Sequence, residues 1–110
     1  MSRESFSFVI QSELALKDVV NFPNPFETDT KFTFVFQNDK AGEVSIKVYT
    51  VAGRLIKTIT SAAKVGYNEI PWNGDDAFGD ELANGVYFYR IQANDGEETD
   101  EIIERLVVIK

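Results

Sequence analysis

The stretch KFTFVFQ, residues 31–37, places its three phenylalanines on one side of an extended chain and its lysine, threonine and glutamine on the other. EVSIKVYT, residues 43–50, repeats the pattern, with valine, isoleucine and valine on one side. A period of two residues is typical of half-buried strands in an antiparallel sheet. These two stretches therefore predict two strands, each with one face in an apolar core.

On either side of this pair, other short runs rich in apolar and β-branched residues predict further strands. No long segment has the 3.6-residue spacing of an amphipathic helix. These runs cover residues 5–10, 14–20, 54–60, 67–72, 85–93 and 102–109. Turn sequences separate them, notably Ala52-Gly53 and Asn94-Asp95-Gly96. The sequence thus predicts an all-β fold, an immunoglobulin-like antiparallel β-sandwich of seven or eight strands. We expect one domain over residues 1–110, with 1–17 as a leading strand or linker and 18–110 as its core.

Composition excludes several functions. The 110 residues include 11 Lys and Arg against 18 Asp and Glu, a net charge of −7, and no Cys or His. Catalysis by Ser-His-Asp or Cys-His groups is therefore impossible within this chain. The acidic balance argues against a nucleic-acid partner, and no apolar run approaches the ~18 residues of a membrane span. We expect no enzyme activity and no cofactor.

The segment Phe22-Pro23-Asn24-Pro25-Phe26 is the most unusual local feature. Each proline fixes its own φ near −65° and restricts the residue before it. We expect an extended, stiff segment whose two phenylalanines anchor it in the core. It is either a rigid crossover between strands or a recognition segment that binds at low ordering cost.

Aromatic residues cluster in the strand predicted after Gly85. Tyr87 and Tyr89 share one face, which favours a core strand with a tyrosine corner, where a hydroxyl ties the preceding loop to the sheet. The alternative is an exposed strip for stacking sugars or peptides. A sugar-binding surface needs several aromatic residues exposed together, and period-two spacing puts Trp72 inside with Ile70. The aromatic residues that such a patch would draw on are Tyr49, Tyr67, Trp72 and Phe88.

The loop at residues 73–81 is rich in glycine and in oxygen ligands. Ca²⁺ takes six to eight oxygens, and Asp75, Asp76 and Asp80 are the candidate ligands. The loop does not match the EF-hand pattern. A solvated turn is the favoured interpretation over a calcium site.

Five motifs in order carry a family resemblance: NFPNPF at 21–26, YTVAGR at 49–54, WNG at 72–74, NGVYFYR at 84–90 and RLVVIK at 105–110. Over residues 21–110 the chain resembles the C-terminal domain of type IX secretion system cargo proteins. It is also similar to the immunoglobulin-like domain of the flagellar hook-capping protein. The resemblance implies a non-catalytic sorting domain, excised from a larger exported protein such as a peptidase. An outer-membrane translocon or shuttle protein would recognise it during transit through the periplasm to the outer-membrane surface or the medium.

The same resemblance implies where recognition occurs. The implied residues are Pro23, Asn24, Pro25, Gly85, Tyr87, Arg105 and Lys110. We expect residues 105–110 to form an outer strand that a partner extends by strand addition, with the Lys110 ammonium contributing little to folding.

Departures from the family pattern refine the expectation. A long acidic stretch at 94–101 stands where many relatives have a short glycine-rich link. This variant is closest to the C-terminal domain of the gingipain-like sortase peptidase, which is retained rather than cleaved. Asn73 and Asp75 replace residues that are often Asp and Arg. A signal peptide is expected upstream of Met1. The rival functions are a carbohydrate-binding accessory module and a structural hook-cap-like module.

Overall fold

Alternating apolar and polar residues fold into strands throughout residues 14–110, the part of the chain that the computed structural model describes. The strand expected at 5–10 lies outside these residues. Seven strands are present in the described part: β1 (Ala15–Phe22), β2 (Thr30–Gln37), β3 (Gly42–Thr50), β4 (Leu55–Ala63), β5 (Gly66–Trp72), β6 (Gly85–Asn94) and β7 (Thr99–Val108).

The strands form two antiparallel sheets. One has three strands in the order β1-β2-β5, and the other has four in the order β4-β3-β6-β7. The prediction of an all-β, immunoglobulin-like antiparallel sandwich is confirmed.

The core lies between the two sheets and is rich in aromatic rings. Phe32 of the three-stranded sheet meets Tyr89 of the four-stranded sheet, with ring centroids 4.9 Å apart in an edge-on arrangement. Trp72 stacks on Phe32 at 5.7 Å and is only 5% exposed, as its spacing predicts. Such ring pairs add to the apolar area that they bury. The inward residues predicted from both opening stretches are all buried.

Two outer strands, β1 and β7, lie side by side at one corner of the sandwich. β1 contains a register shift between Lys17 and Val20, where Asp18 has a φ of 54°. The shift is a β-bulge, which bends an edge strand. The expected boundary between residues 17 and 18 falls inside β1, which runs from Ala15 to Phe22. Leu14 and Leu16, before that boundary, are buried in the core.

The acidic stretch at 94–101 forms a tight hairpin between β6 and β7, with its turn where Asn94-Asp95-Gly96 predicts one. Asp95 closes the turn, because its Oδ1 accepts the N–H groups of Glu97 and Glu98 at 2.9 and 2.8 Å. Backbone N–H donation from Glu98, then from Glu97, and the Asn38 amide lower the pKa of Asp95 to about 2. β7 then begins at Thr99, three residues earlier than the apolar pattern predicts.

Candidate functional site

The segment after β1 bends at residues 23–25 rather than running extended. Both the Phe22–Pro23 and Asn24–Pro25 peptide bonds are cis. Phe22 is 72% exposed, so its expected role as a core anchor is wrong. It lies on the outward face of β1, paired with Lys31. Phe26 is buried, as expected, and packs against Trp72 with ring centroids 5.8 Å apart.

Asn24 binds the outer edge of β7 through its side chain. Its Nδ2 donates to the carbonyl of Arg105 at 3.2 Å, and its Oδ1 accepts the N–H of Val107 at 3.0 Å. An amide side chain thus pairs with the strand as a peptide group would. Both neighbours of Asn24 are prolines, which have no N–H to donate.

Phe26 continues this pairing along β7. Its N–H donates to the Val107 carbonyl at 3.0 Å, and its carbonyl accepts the N–H of Ile109 at 2.9 Å. The expectation that residues 105–110 offer an unpaired edge for strand addition is therefore wrong, because Asn24 and Phe26 already occupy the edge over 105–109. These hydrogen bonds join the proline segment at 22–26 to the last strand, two segments in which the family resemblance places recognition residues.

A groove of about 330 Å³ lies beside this contact, between the bulged part of β1 and β7. Its lining includes Asn21, Tyr89 and Glu104. The Tyr89 hydroxyl and the Asn21 Oδ1 are buried, and neither has a hydrogen-bond partner within residues 14–110. Burial raises the pKa of Tyr89, and the charge of Glu104 raises it further. Two of the residues that line the groove thus contain a buried polar oxygen that has no hydrogen-bond partner within residues 14–110.

Tyr87 forms the predicted tyrosine corner. Its hydroxyl donates to the Ala83 carbonyl at 2.7 Å, so the preceding loop is tied to β6. Gly85 opens β6 with a φ of 153°, a conformation that residues with a Cβ rarely adopt. Gly85 pairs with Val108.

Lys110 binds the same loop. Its N–H donates to the Asn84 Oδ1 at 3.0 Å, and its Nζ donates to the Leu82 carbonyl and to Glu81, the latter at 3.2 Å. Lys110 therefore has more contacts within the fold than the sequence leads us to expect.

The predicted recognition residues thus form two groups around the last strand. Asn24, which stands between Pro23 and Pro25, contacts β7 on its outer side at Arg105 and Val107. Gly85, Tyr87 and Lys110 meet at the end of β7, through the loop at 81–84. The first group is a contact between distant segments, and the second is a loop closure.

The acidic loop uses its carboxylates within the fold. The Asp75 Oδ1 lies 2.9 Å from the Lys57 Nζ and accepts the Trp72 indole N–H at 3.1 Å. The hydrogen bond from Lys57 lowers the pKa of Asp75. The Asp76 Oδ1 accepts the N–H groups of Phe78 and Asp80, both at 2.9 Å. Within residues 14–110 no three or more acidic, His or Cys side chains are grouped to hold a metal ion.

The four aromatic residues weighed for sugar binding do not share one surface. Trp72 is buried. Tyr67 lies on the three-stranded sheet, whereas Tyr49 and Phe88 are neighbours on the four-stranded sheet. The described residues include no helix long and apolar enough to cross a membrane.

Sequence reasoning missed the pairing role of Asn24 and the groove that Asn21 and Tyr89 line. A signal for the first was present. Between two prolines, Asn24 is the one residue with an N–H and an amide side chain to offer a neighbouring strand. No sequence signal identifies the groove, because it depends on β1 and β7 lying side by side.

Comparisons with known proteins agree with this architecture. The sequence pattern of the FlgD Ig-like domain matches residues 22–97. No curated protein sequence matches the chain. Solved structures share the fold, and the three given below are each less than 25% identical to the chain.

Dimeric latent PorU from Porphyromonas gingivalis is 22% identical with a TM-score of 0.78, covering 90% of this chain and 10% of that protein. PorZ, described as an essential surface component of the type IX secretion system of the same organism, is 24% identical with a TM-score of 0.53. That match covers 84% of this chain and 12% of PorZ. FlgD from Xanthomonas campestris, a hook-capping protein, is 20% identical with a TM-score of 0.60. That match covers 86% of this chain and 66% of FlgD. The chain therefore spans only a part of each of these proteins.

Proposed function

We propose that this chain, which belongs to the FlgD Ig-like domain family, is a non-catalytic C-terminal secretion and cell-surface sorting domain recognised by the type IX secretion machinery. Its partners would be an outer-membrane translocon or a shuttle protein, and the catalytic domain of a larger exported parent such as a peptidase. It would pass through the periplasm and end at the outer-membrane surface or in the medium. The fold shared with PorU and PorZ supports this proposal.

The observation that carries the proposal is the contact between Asn24 and β7 at Arg105 and Val107. It joins the proline segment and the last strand, which the family resemblance names separately, into one surface. Phe26 is buried on one side of this contact, so the segment is fixed before any partner arrives. A fixed surface loses little conformational entropy on binding.

The second group supports the same role. Lys110 is held by the loop at 81–84, and Tyr87 fixes that loop to β6. A partner would therefore meet the end of β7 in one defined geometry. Arg105 is exposed beside the Asn24 contact, and its carbonyl accepts the Asn24 amide.

An export assay tests the proposal. The chain is fused behind a Sec signal peptide and a fluorescent reporter in a cell with a working type IX system. We expect the reporter at the cell surface. Arg105→Ala should lower surface export several-fold with an unchanged melting temperature, because its side chain forms no ion pair within residues 14–110. The matched control is Lys64→Ala, a change of charge at a distant turn, which should export normally.

Periplasmic retention of the folded wild-type fusion, in a host that exports its own cargo, would overturn the sorting function. Normal export of the Arg105→Ala variant would instead place recognition elsewhere on the domain.

The alternative is an immunoglobulin-like accessory module, structural or carbohydrate-binding. The family match to a hook-capping protein favours the structural form. The separation of Tyr67 from Tyr49 and Phe88 does not favour the carbohydrate-binding form. An accessory module would leave the reporter in the periplasm in the same assay.

A further inference from the structure

Six outward side chains on the four-stranded sheet form a surface that we call the cationic–aromatic face. They lie in two neighbouring rows across β3, β6 and β7. The first row pairs Lys47 with Arg90 and Arg90 with Ile103. The second row pairs Tyr49 with Phe88 and Phe88 with Arg105.

The charge of this face is opposite to that of the chain. The net charge is −7, yet Lys47, Arg90 and Arg105 lie within two rows of one sheet. The ion pairs of the described residues involve four other lysines, Lys31, Lys40, Lys57 and Lys110. Glu101 lies one row further towards the hairpin, paired with Gln92. Within residues 14–110, the three cations of the face are therefore not neutralised by an ion pair.

Arg90 is held in place by an aromatic neighbour. Its Nη2 donates to the Tyr49 hydroxyl at 3.2 Å, and its guanidinium carbon lies 5.9 Å from the centre of the Tyr49 ring. A cation over a ring is stabilised by the π-electrons. The planar guanidinium keeps further N–H groups for a carboxylate.

Apolar side chains complete the face. Phe88 is 38% exposed and Ile103 is 62% exposed. Aromatic residues and arginine are enriched at the centres of protein–protein interfaces, where a few of them carry most of the binding energy. The composition of this face thus matches a protein-binding surface.

We infer that the cationic–aromatic face binds an acidic segment of a partner protein, in which carboxylates alternate with apolar side chains. Charge complementarity selects the acidic partner. Three cations on a chain of net charge −7 are too few to hold a phosphate polyanion, which needs many neutralising contacts. The partner segment must also present apolar side chains, because these pack against the rings of Tyr49 and Phe88. This inference does not rest on the sorting function.

The test is a titration followed by NMR of the backbone amides of the full chain. The probe is a short synthetic peptide that alternates glutamate with leucine. We expect shifts at Lys47, Phe88 and Arg90, and weaker binding when salt rises from about 0.05 to about 0.5 M, because salt screens exposed charges.

Charge reversal gives the matched comparison. Lys47→Glu with Arg90→Glu should weaken binding about tenfold or more, which corresponds to ~1.4 kcal/mol. Lys17→Glu with Lys64→Glu changes the net charge equally, away from this face, and should leave binding near the wild-type value. The double variant Lys47→Gln with Arg90→Gln should bind the peptide with an affinity between those of the wild type and the reversed variant. It replaces the reversed variant in the test if that variant does not fold.

Shifts scattered over the surface, or an equal loss in both reversed variants, would show only a general charge effect and overturn the inference. Vesicles of an anionic phospholipid serve as the second probe. Binding to the vesicles with no response to the peptide would also overturn it, in favour of a lipid surface.

Discussion

Asn24 and Val107 are joined across 83 positions of sequence, because the side-chain Oδ1 of the first accepts the backbone N–H of the second at 3.0 Å. The contact replaces a strand neighbour at an edge that the topology leaves outermost. Covering an edge in this way prevents unwanted pairing with other chains. The proline segment therefore has a structural role even apart from recognition.

This contact leads to the first prediction. Asn24→Ala should lower the free energy of unfolding by about 1 kcal/mol, since two solvent-accessible hydrogen bonds are lost. Hydrogen exchange at the Val107 amide should accelerate, while Leu106, which pairs with Tyr87 in β6, should keep its protection. Equal acceleration at both amides would mean that the whole strand loosens and that Asn24 does not act locally.

The second prediction concerns two tyrosines of β6. Tyr87→Phe should cost about 1–3 kcal/mol, because it leaves the partly buried Ala83 carbonyl without its donor. Tyr89→Phe should change stability by less than about 0.5 kcal/mol or stabilise, because it removes a buried hydroxyl without a partner in residues 14–110. Urea denaturation of both variants measures the contrast, and a larger loss for Tyr89→Phe would show that its hydroxyl is bound.

Removal of the buried indole is the third prediction. Trp72→Ala should destabilise by about 3–5 kcal/mol, the range for a large aromatic side chain in a core. Phe78→Ala is the control, because Phe78 is 90% exposed, and should change stability by less than about 0.5 kcal/mol. A similarly small effect of Trp72→Ala would place the indole at the surface and revive the sugar-binding interpretation.

The fourth prediction is a pH dependence that arises from Asp95. Its pKa is about 2 in the folded chain and about 3.9 when unfolded. A carboxylate whose pKa is lowered by folding stabilises the fold above the unfolded value, and this contribution is lost as the pH falls through the folded value. The melting temperature should therefore fall between about pH 4 and pH 2.

Asp95→Asn provides the check. The difference in melting temperature between wild type and Asp95→Asn should shrink as the pH falls through this range. Asp39→Asn, which removes a carboxylate from the loop between β2 and β3, is the control and should track the wild type. A constant difference between wild type and Asp95→Asn would contradict the assignment.

The fifth prediction concerns calcium. Millimolar Ca²⁺ should not raise the melting temperature, because Asp75 is engaged by Lys57 and Asp76 by backbone N–H groups. A ligand that binds only the folded state raises stability by mass action. A rise that a chelator reverses and that Asp75→Asn abolishes would establish a calcium site in this loop.

The sequence by itself determined most of the strands and the inward faces of β2, β3, β5 and β6. Period-two alternation decides which side chains share a face, so the burial of Phe32, Trp72 and Tyr89 follows from local spacing. The tyrosine corner is similarly local, because its hydroxyl reaches a carbonyl only four residues away.

Only the tertiary structure decided which strands are neighbours and which groups remain free at the edges. Asn24 covers β7 because β1 and β7 meet at one corner. Phe22 faces solvent because it lies on the outward face of β1, paired with Lys31. The three cations of the cationic–aromatic face come from three strands and converge through the register of one sheet. Alternation fixes the face of each residue but contains no information about the partner strand, and the edge contacts and the surface charge depend on that partner.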